Sequence, residues 1–437
     1  MADIDPASLK RLAKEGSWIV AGQIVTVAGM LALVRILTEY LTPTEYAQLA
    51  LCLTVAGLLN QVIFGGIANG IGRYYAIAAE ADDLNGYLVS ARTLMVYGTL
   101  AAIVVGSLIL ISLQKFGYSQ WLWLVAATLI FAVFSGYNSA IGGIQNAARQ
   151  RAIVALHGGL DAWLKVILAV TAIAWLGTIS EAVLIAYVAS TLIVTLSQLI
   201  FLRRTIPPDA APRARRCGWL QRMWSYSWPF STFGVFTWMQ QVSDRWALES
   251  FASTADVGHY AVLFQLGYAP IAIVTGMASA FLAPILFQRS GDATNAVRNA
   301  GVNRLSWRLT SLALILTGSA TLLTFAAHEW LFSLLVARTY RSLSALLPWF
   351  VLAGGLFAAG QTLSLKLSAE MKTPAIAKVK IVTAVLGVGL NLVGAALAGL
   401  DGVVFALVAF SASYLLWMIF IAQRYQLMPL KHAAATT

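Results

Sequence analysis

Long apolar runs, broken by short polar clusters, dominate this chain. A helix needs about 20 predominantly apolar residues to cross a bilayer. Roughly twelve stretches approach that length: 15–37, 45–69, 88–112, 119–144, 152–176, 181–202, 224–248, 257–286, 303–326, 344–367, 374–397 and 401–423. Ten-residue alternating segments of the outer-membrane barrel type are absent. The pattern predicts an all-α polytopic membrane protein with about 12 transmembrane helices. Ala327 to Ser344, with Trp330 and Phe332, reads as a short interfacial helix.

Composition agrees. Of 437 residues, 59% are hydrophobic and 11% charged, against about 25% charged in a typical soluble domain. The mean hydropathy is +0.77. So little charge cannot cover a water-facing surface, which excludes a soluble enzyme, a coiled coil and a disordered chain. Cys52 lies in an apolar run and Cys217 in a basic one, so neither a disulfide framework nor a metal site is expected. The net charge of +11 would suit nucleic acid in a soluble protein. In a membrane protein it reports orientation instead, and no nucleic-acid partner is expected.

If the N-terminus is cytoplasmic, the inside segments collect 22 of the 29 basic residues and the outside segments four: Arg35, Lys115, Arg338 and Arg341. This bias predicts an even number of spans with both termini inside. Residues 1–14 carry acids before bases without a small-residue cleavage site, and read as an amphipathic cytoplasmic arm. The longest hydrophilic stretch, 203–223, contains IPPDAAPRARR and reads as a basic linker. The expected domains are thus an N-lobe at 15–202 with six spans, a C-lobe at 224–424 with six more, and a cytoplasmic tail at 425–437. The linker's arginines serve most simply as topology anchors beside anionic lipid.

The lobes show traces of duplication. Ser17–Trp18 and Arg35 match Ser227–Trp228 and Arg245 at a shift of 210, and Tyr46 matches Tyr260 at 214. Both copies start inside, so the repeat is parallel. Such repeats are known in transporters whose substrate site lies between the halves.

Three segments carry a family resemblance: GSWIVAGQIVTVAGMLALVRILTEYLTPTEYAQL, IGRYY, and SWPFSTFGVFTWMQQVSDRWALESFASTADVGHYAV. With the late GVVFA segment at Gly402, they resemble the O-antigen and exopolysaccharide flippases. That family belongs to the multidrug/oligosaccharidyl-lipid/polysaccharide exporter superfamily. Ala47 stands where the family commonly has glycine. The resemblance implies two six-helix lobes rocking around a central cavity, in the bacterial inner membrane. The implied cargo is a polyprenyl-pyrophosphate-linked oligosaccharide, with coupling to H+ or Na+, no bound cofactor, and other polysaccharide assembly proteins as partners.

A pyrophosphate carrier needs fixed positive charge, and the planar guanidinium fork matches phosphate. An intramembrane cation costs at least roughly 2.5–3.5 kcal/mol, so each one needs an explanation. The candidate headgroup ligands are Arg245, Arg308, Arg35 and Arg73. Snorkelling or pairing is an equal rival for Arg245, which follows Asp244, and for Arg35, which has Glu39 one turn away. Arg73 reads first as an inner-face anchor, and Arg308 reads as cavity-facing. Asp161 and Lys165 share a helix face, which suits an internal ion pair; Asp161, Lys165 and Asp244 are the candidates for ion coupling. Gln240, Gln241, Asn60, Gln61 and Asn69 are candidate sugar contacts, though interhelical hydrogen bonds are the commoner use of such groups. Gly267 and Pro270 form a candidate hinge. Lys366 and Glu370 read as a solvated pair at the inner end of the tenth span.

Two other functions weigh less. A drug/cation antiporter of the same superfamily would favour carboxylates in its cavity, yet the first span has no acid between Glu15 and Glu39. A glycan polymerase or ligase would need a large outer catalytic loop, and no paired carboxylates or His/Asp arrangement recur at useful spacing. No enzymatic activity is expected.

Overall fold

In a bilayer interior no water is available to pair backbone amides, so each spanning segment must satisfy its own. The computed structural model describes residues 6–205, 218–290, 296–370 and 372–434, and every regular element among them is helical. In chain order these are α1 (Pro6–Tyr40), α2 (Pro43–Leu59), α3 (Gly65–Glu80), α4 (Leu84–Lys115), α5 (Leu122–Ala147), α6 (Arg151–Leu176) and α7 (Ser180–Thr205). Then follow α8 (Trp219–Phe251), α9 (Thr254–Leu263), α10 (Ala269–Ser290), α11 (Ala296–Leu335), α12 (Leu347–Ala369) and α13 (Thr373–Ala434). One π-helical turn, Asn60–Phe64, joins α2 to α3, and another, Phe264–Tyr268, joins α9 to α10.

Among the described residues, ten helical segments are long and apolar enough to cross a membrane. The 224–248 stretch lies in α8, which is long enough but too polar to be among them; its face carries Gln240, Gln241, Ser243, Asp244 and Arg245. The stretches 374–397 and 401–423 both fall in α13, whose backbone leaves helical geometry at Ala398 and Gly399. Gly399 has φ +54°, a conformation that favours glycine. The reversal brings Gly394 and Gly402 together so closely that a Cβ on Gly402 would overlap the Gly394 carbonyl. Gly402→Val therefore forces the two arms of α13 apart. Overpacking of this kind costs roughly 1–3 kcal/mol, read as a lower melting temperature of the purified protein.

Local chemistry sets the other boundaries. Thr42 accepts from Glu45 N (3.2 Å) to start α2, and Ser253 accepts from Asp256 N (3.1 Å) to start α9. Asp83 caps α4 through Gly86 N. Gly177, with φ +100°, ends α6.

Several sequence expectations shift. The 1–14 arm is helical from Pro6 and continuous with the first span; residues 1–5 and the side chains up to Glu15 lie outside the described residues. The 203–223 linker shortens at both ends, because α7 runs to Thr205 and α8 starts at Trp219; residues 206–217 lie outside the described residues. Trp219 is buried and donates to Asp83 Oδ2 at 2.8 Å, which ties down the start of α8. The interfacial helix expected at 327–344 is instead the end of α11 followed by a 3₁₀ segment, Arg338–Leu346. Helix continues through 425–434, where a tail was expected.

The chain forms two compact units, Met1–Trp238 and Met239–Thr437. The division falls inside α8, past the expected linker. In the first unit, Trp238 donates its indole N–H to Thr54 O (2.7 Å), and Gly66, Gly70 and Gly234 sit where another helix passes close. Small residues also let α1 meet α6, Gly22 facing Ala155 and Gly29 facing Ala162. In the second unit α12 packs against α10, α11 and α13. Gly355 faces Thr317 and Gly360 faces Tyr414, contacts that leave no room for a Cβ.

Candidate functional site

In the first unit, α3, α5, α6 and α7 enclose a cleft of about 530 Å³. Polar and small residues recur at helical spacing on each wall: Ser135, Asn138, Gly142 and Asn146 on α5; His157, Asp161 and Lys165 on α6; Thr191 and Gln198 on α7. This period places them on one side of each helix.

Asp161 and Lys165 form the expected ion pair, Nζ to Oδ2 at 2.6 Å. The ammonium also lies over the rings of Phe131 (5.5 Å) and Tyr187 (5.7 Å). Ser190 Oγ donates to the Asp161 carbonyl at 3.3 Å. His157 is buried, with Nδ1 at 2.8 Å from Ile153 O and Nε2 at 3.1 Å from Ser197 Oγ. A carbonyl only accepts, so Nδ1 carries a proton, and both ring nitrogens are engaged. His157 is therefore a fixed wall. Asn138 Oδ1 accepts from Thr195 (2.7 Å), and Asn146 Oδ1 accepts from Arg151 (2.5 Å).

Two cavities lie among the described residues of the second unit. One of about 370 Å³ is lined by Tyr268, Thr275, Gly276, Gln361, Ser364 and Lys380, among others. The other, about 60 Å³, is bordered by Gln240, Gln241, Asp244, Phe264, Tyr268 and Asn391. Asp244 is buried, accepting from Tyr260 Oη (2.6 Å) and from Arg245 N (2.7 Å). Asn391 donates to Ser243 Oγ at 2.9 Å. Among the described residues no group of three or more His, Cys, Asp or Glu could hold a metal ion.

The candidate arginines sit in different settings. Arg245 is half-buried, its guanidinium 5.3 Å from the centre of the Phe264 ring and its Nε without a hydrogen-bond partner. Arg35 is half-buried and pairs with the exposed Glu39 at 3.0 Å. Arg73 and Arg308 are exposed on α3 and α11. Asn60 and Gln61 lie in the first π turn, where the Gln61 carbonyl abuts Gly234. Gly267 lies in the second π turn with no room for a Cβ against Phe350, and Pro270 follows at the start of α10. Such turns inside helices are common at functional sites.

The pair Lys366–Glu370 departs from expectation. It is buried where a solvated pair was expected, because α13 covers that end of α12. Lys366 is fully buried, donating to Ala422 O (3.2 Å), with Glu370 3.7 Å away. Burial pushes the Glu370 carboxyl above its usual range, while the Lys366 charge pulls it back. Glu370→Ala would strand the ammonium. Removing one partner of a buried pair costs about 3–5 kcal/mol; thermal melting should show this, with recovery in a Lys366→Met, Glu370→Leu double variant.

Residues 12–290 match the family model described as "Polysaccharide biosynthesis protein". The chain belongs to this family. No curated protein matches the chain at the sequence level. Among solved structures, it is similar to the lipid II flippase MurJ in an inward closed conformation. That similarity has TM-score 0.70 and 11% identity, and covers 93% of this chain and 87% of the other. It is also similar to an inward-facing multidrug resistance MATE family transporter of the MOP superfamily (TM-score 0.61, 14% identity, 92% and 95% covered). MATE in complex with MaL6 gives TM-score 0.62 at 16% identity, with 96% and 97% covered. At these identities the likeness is one of fold, and the all-helical membrane class expected from the sequence is present. For a polysaccharide biosynthesis protein, the first unit's cleft is the feature that sequence reading missed apart from Asn69, Asp161 and Lys165. Its signal was available in the amide and hydroxyl stripes.

Proposed function

We propose that the protein is a flippase moving a polyprenyl-pyrophosphate-linked oligosaccharide from the cytoplasmic to the periplasmic leaflet of a bacterial inner membrane, by alternating access of two lobes. The observation that carries this reading is a large polar cleft walled by membrane-spanning helices in a polysaccharide biosynthesis protein. Hydrogen-bonding groups are expensive in hydrocarbon and accumulate where a polar cargo passes.

Arg245 is the best placed of the arginines to meet a headgroup, since its Nε lacks a partner and intramembrane guanidinium suits phosphate. Arg308, Arg73 and Arg35 follow it. The Asp161–Lys165 pair, with Asp244, provides the titratable groups for H+ or Na+ coupling. The parallel repeat gains support from the second helix of each half. Both have a hydroxyl N-cap, an acid at the third position and a π turn further on. Both termini face the cytoplasm, beside the other proteins of polysaccharide assembly.

Cells lacking the protein should accumulate lipid-linked oligosaccharide on the inner leaflet and lose surface glycan, and restoring the chain should reverse both. Surface glycan unchanged in the deletion strain, with no other flippase present, contradicts the reading.

A further inference from the structure

We propose that the first unit's cleft is a docking site for uncharged sugar residues of the glycan and does not receive the phosphate headgroup. This rests on the flippase reading and assigns one part of the cargo to one place.

Charge is the first argument. The ionised groups lining the cleft are Asp161 and Lys165, and they neutralise each other at 2.6 Å. Among the described lining residues a pyrophosphate would meet a carboxylate and a lysine already paired with it, while Arg151 is bonded to Asn146 Oδ1 and is not itself part of the lining. Its desolvation would go largely uncompensated.

Hydrogen-bonding capacity is the second. A sugar hydroxyl both donates and accepts, so its site needs groups of both kinds. Asn138 and Asn146 each spend their carbonyl oxygen on a protein donor. Asn138 Nδ2 makes only a long contact, 3.4 Å, to Thr191 O. These amides are therefore available as donors. They lie eight residues apart on one face of α5, about 12 Å along its axis, a span longer than one pyranose ring. The acceptor is Gln198 on α7. It is only 6% exposed, lines the cleft, and its Oε1 has no hydrogen-bond partner. A buried acceptor left unpaired is costly unless something completes it.

The glycines supply the third argument. At Gly22, Gly29 and Gly136 an added Cβ would collide with another helix, so glycine serves packing there. Gly142 lines the cleft, yet a Cβ on it would meet nothing within 4 Å, and one on Gly143 would meet only Ala68 O at 3.9 Å. No helix needs that space. It belongs to the cleft, whose volume lies within the roughly 300–1,000 Å³ of ligand pockets.

The test uses the full chain in nanodiscs and two probes: a polyprenyl pyrophosphate bearing a neutral acetamido-sugar disaccharide, and the same lipid pyrophosphate without sugar. Wild type should bind the sugar-bearing probe at least tenfold more tightly. Gly142→Leu, which fills the cleft, and Gln198→Leu, which removes the acceptor, should each cut that affinity ratio at least tenfold. A wild-type ratio near one, or a ratio unchanged in both variants, overturns the assignment while the flippase reading stands. Wild type binding neither probe overturns the flippase reading and this assignment with it.

Discussion

Asp161→Asn should abolish the gradient dependence of transfer while leaving the protein folded. The carboxylate holds Lys165 at 2.6 Å, yet the two side chains keep 27% and 19% of their surface exposed. A partly solvated helix pair contributes little, about 0.3–0.5 kcal/mol, so melting should shift only slightly. Coupling is different: asparagine cannot take up and release a proton or balance a sodium ion, and it leaves the Lys165 ammonium beside Phe131 and Tyr187 without its carboxylate partner. In vesicles the rate under an imposed gradient should fall to the rate without one. A gradient-driven excess that survives the substitution removes Asp161 from coupling.

Arg245→Gln should have the second large effect, acting on stability and transfer together. Asp244 is buried, and the half-buried Arg245 follows it directly on α8. Losing that cation leaves a buried carboxylate with only the Tyr260 hydroxyl and a backbone amide. The melting temperature should fall, by less than the loss of a buried ion pair would lower it, because no ion pair joins the two side chains and the hydroxyl and backbone amide that hold Asp244 remain. Asp244→Asn in the same chain should restore it. Transfer separates the two roles. If the guanidinium also meets the headgroup, the stabilised double variant still fails to move lipid-linked glycan, and Arg245→Lys, which keeps charge but loses the fork, moves it poorly. Normal transfer by the double variant would confine Arg245 to a structural part.

Much of this architecture was legible because hydrocarbon imposes a simple length rule. The break between 397 and 401, for example, coincides with the non-helical Ala398 and Gly399. What escaped were features decided by neighbours. Lys366 and Glu370 have the spacing of a solvated pair, and only the covering Ala422 makes them buried. The unit boundary falls inside α8 because Trp219 and Trp238 tie its first half to Asp83 and Thr54, contacts 136 and 184 residues apart in sequence. Tyr260 likewise makes a contact that no pattern announces, its hydroxyl donating to the buried Asp244 at 2.6 Å.

At the candidate site, the Asp161–Lys165 pair was readable from four-residue spacing. The cleft around it was not read, because each stripe of amides looks like interhelical glue until three helices present them to one space. Gly142 and Gly22 are indistinguishable in sequence, and only the presence or absence of a facing helix separates packing from an open wall.

The most direct test is leaflet transfer in vesicles containing the purified protein. A polyprenyl-pyrophosphate-linked oligosaccharide is placed in one leaflet, a proton or sodium gradient is imposed, and its appearance in the other leaflet is followed. Transfer well above that of protein-free vesicles, quickened by one of the two gradients, is the predicted result. Transfer no faster than through lipid alone, with the protein folded and correctly inserted, would contradict it.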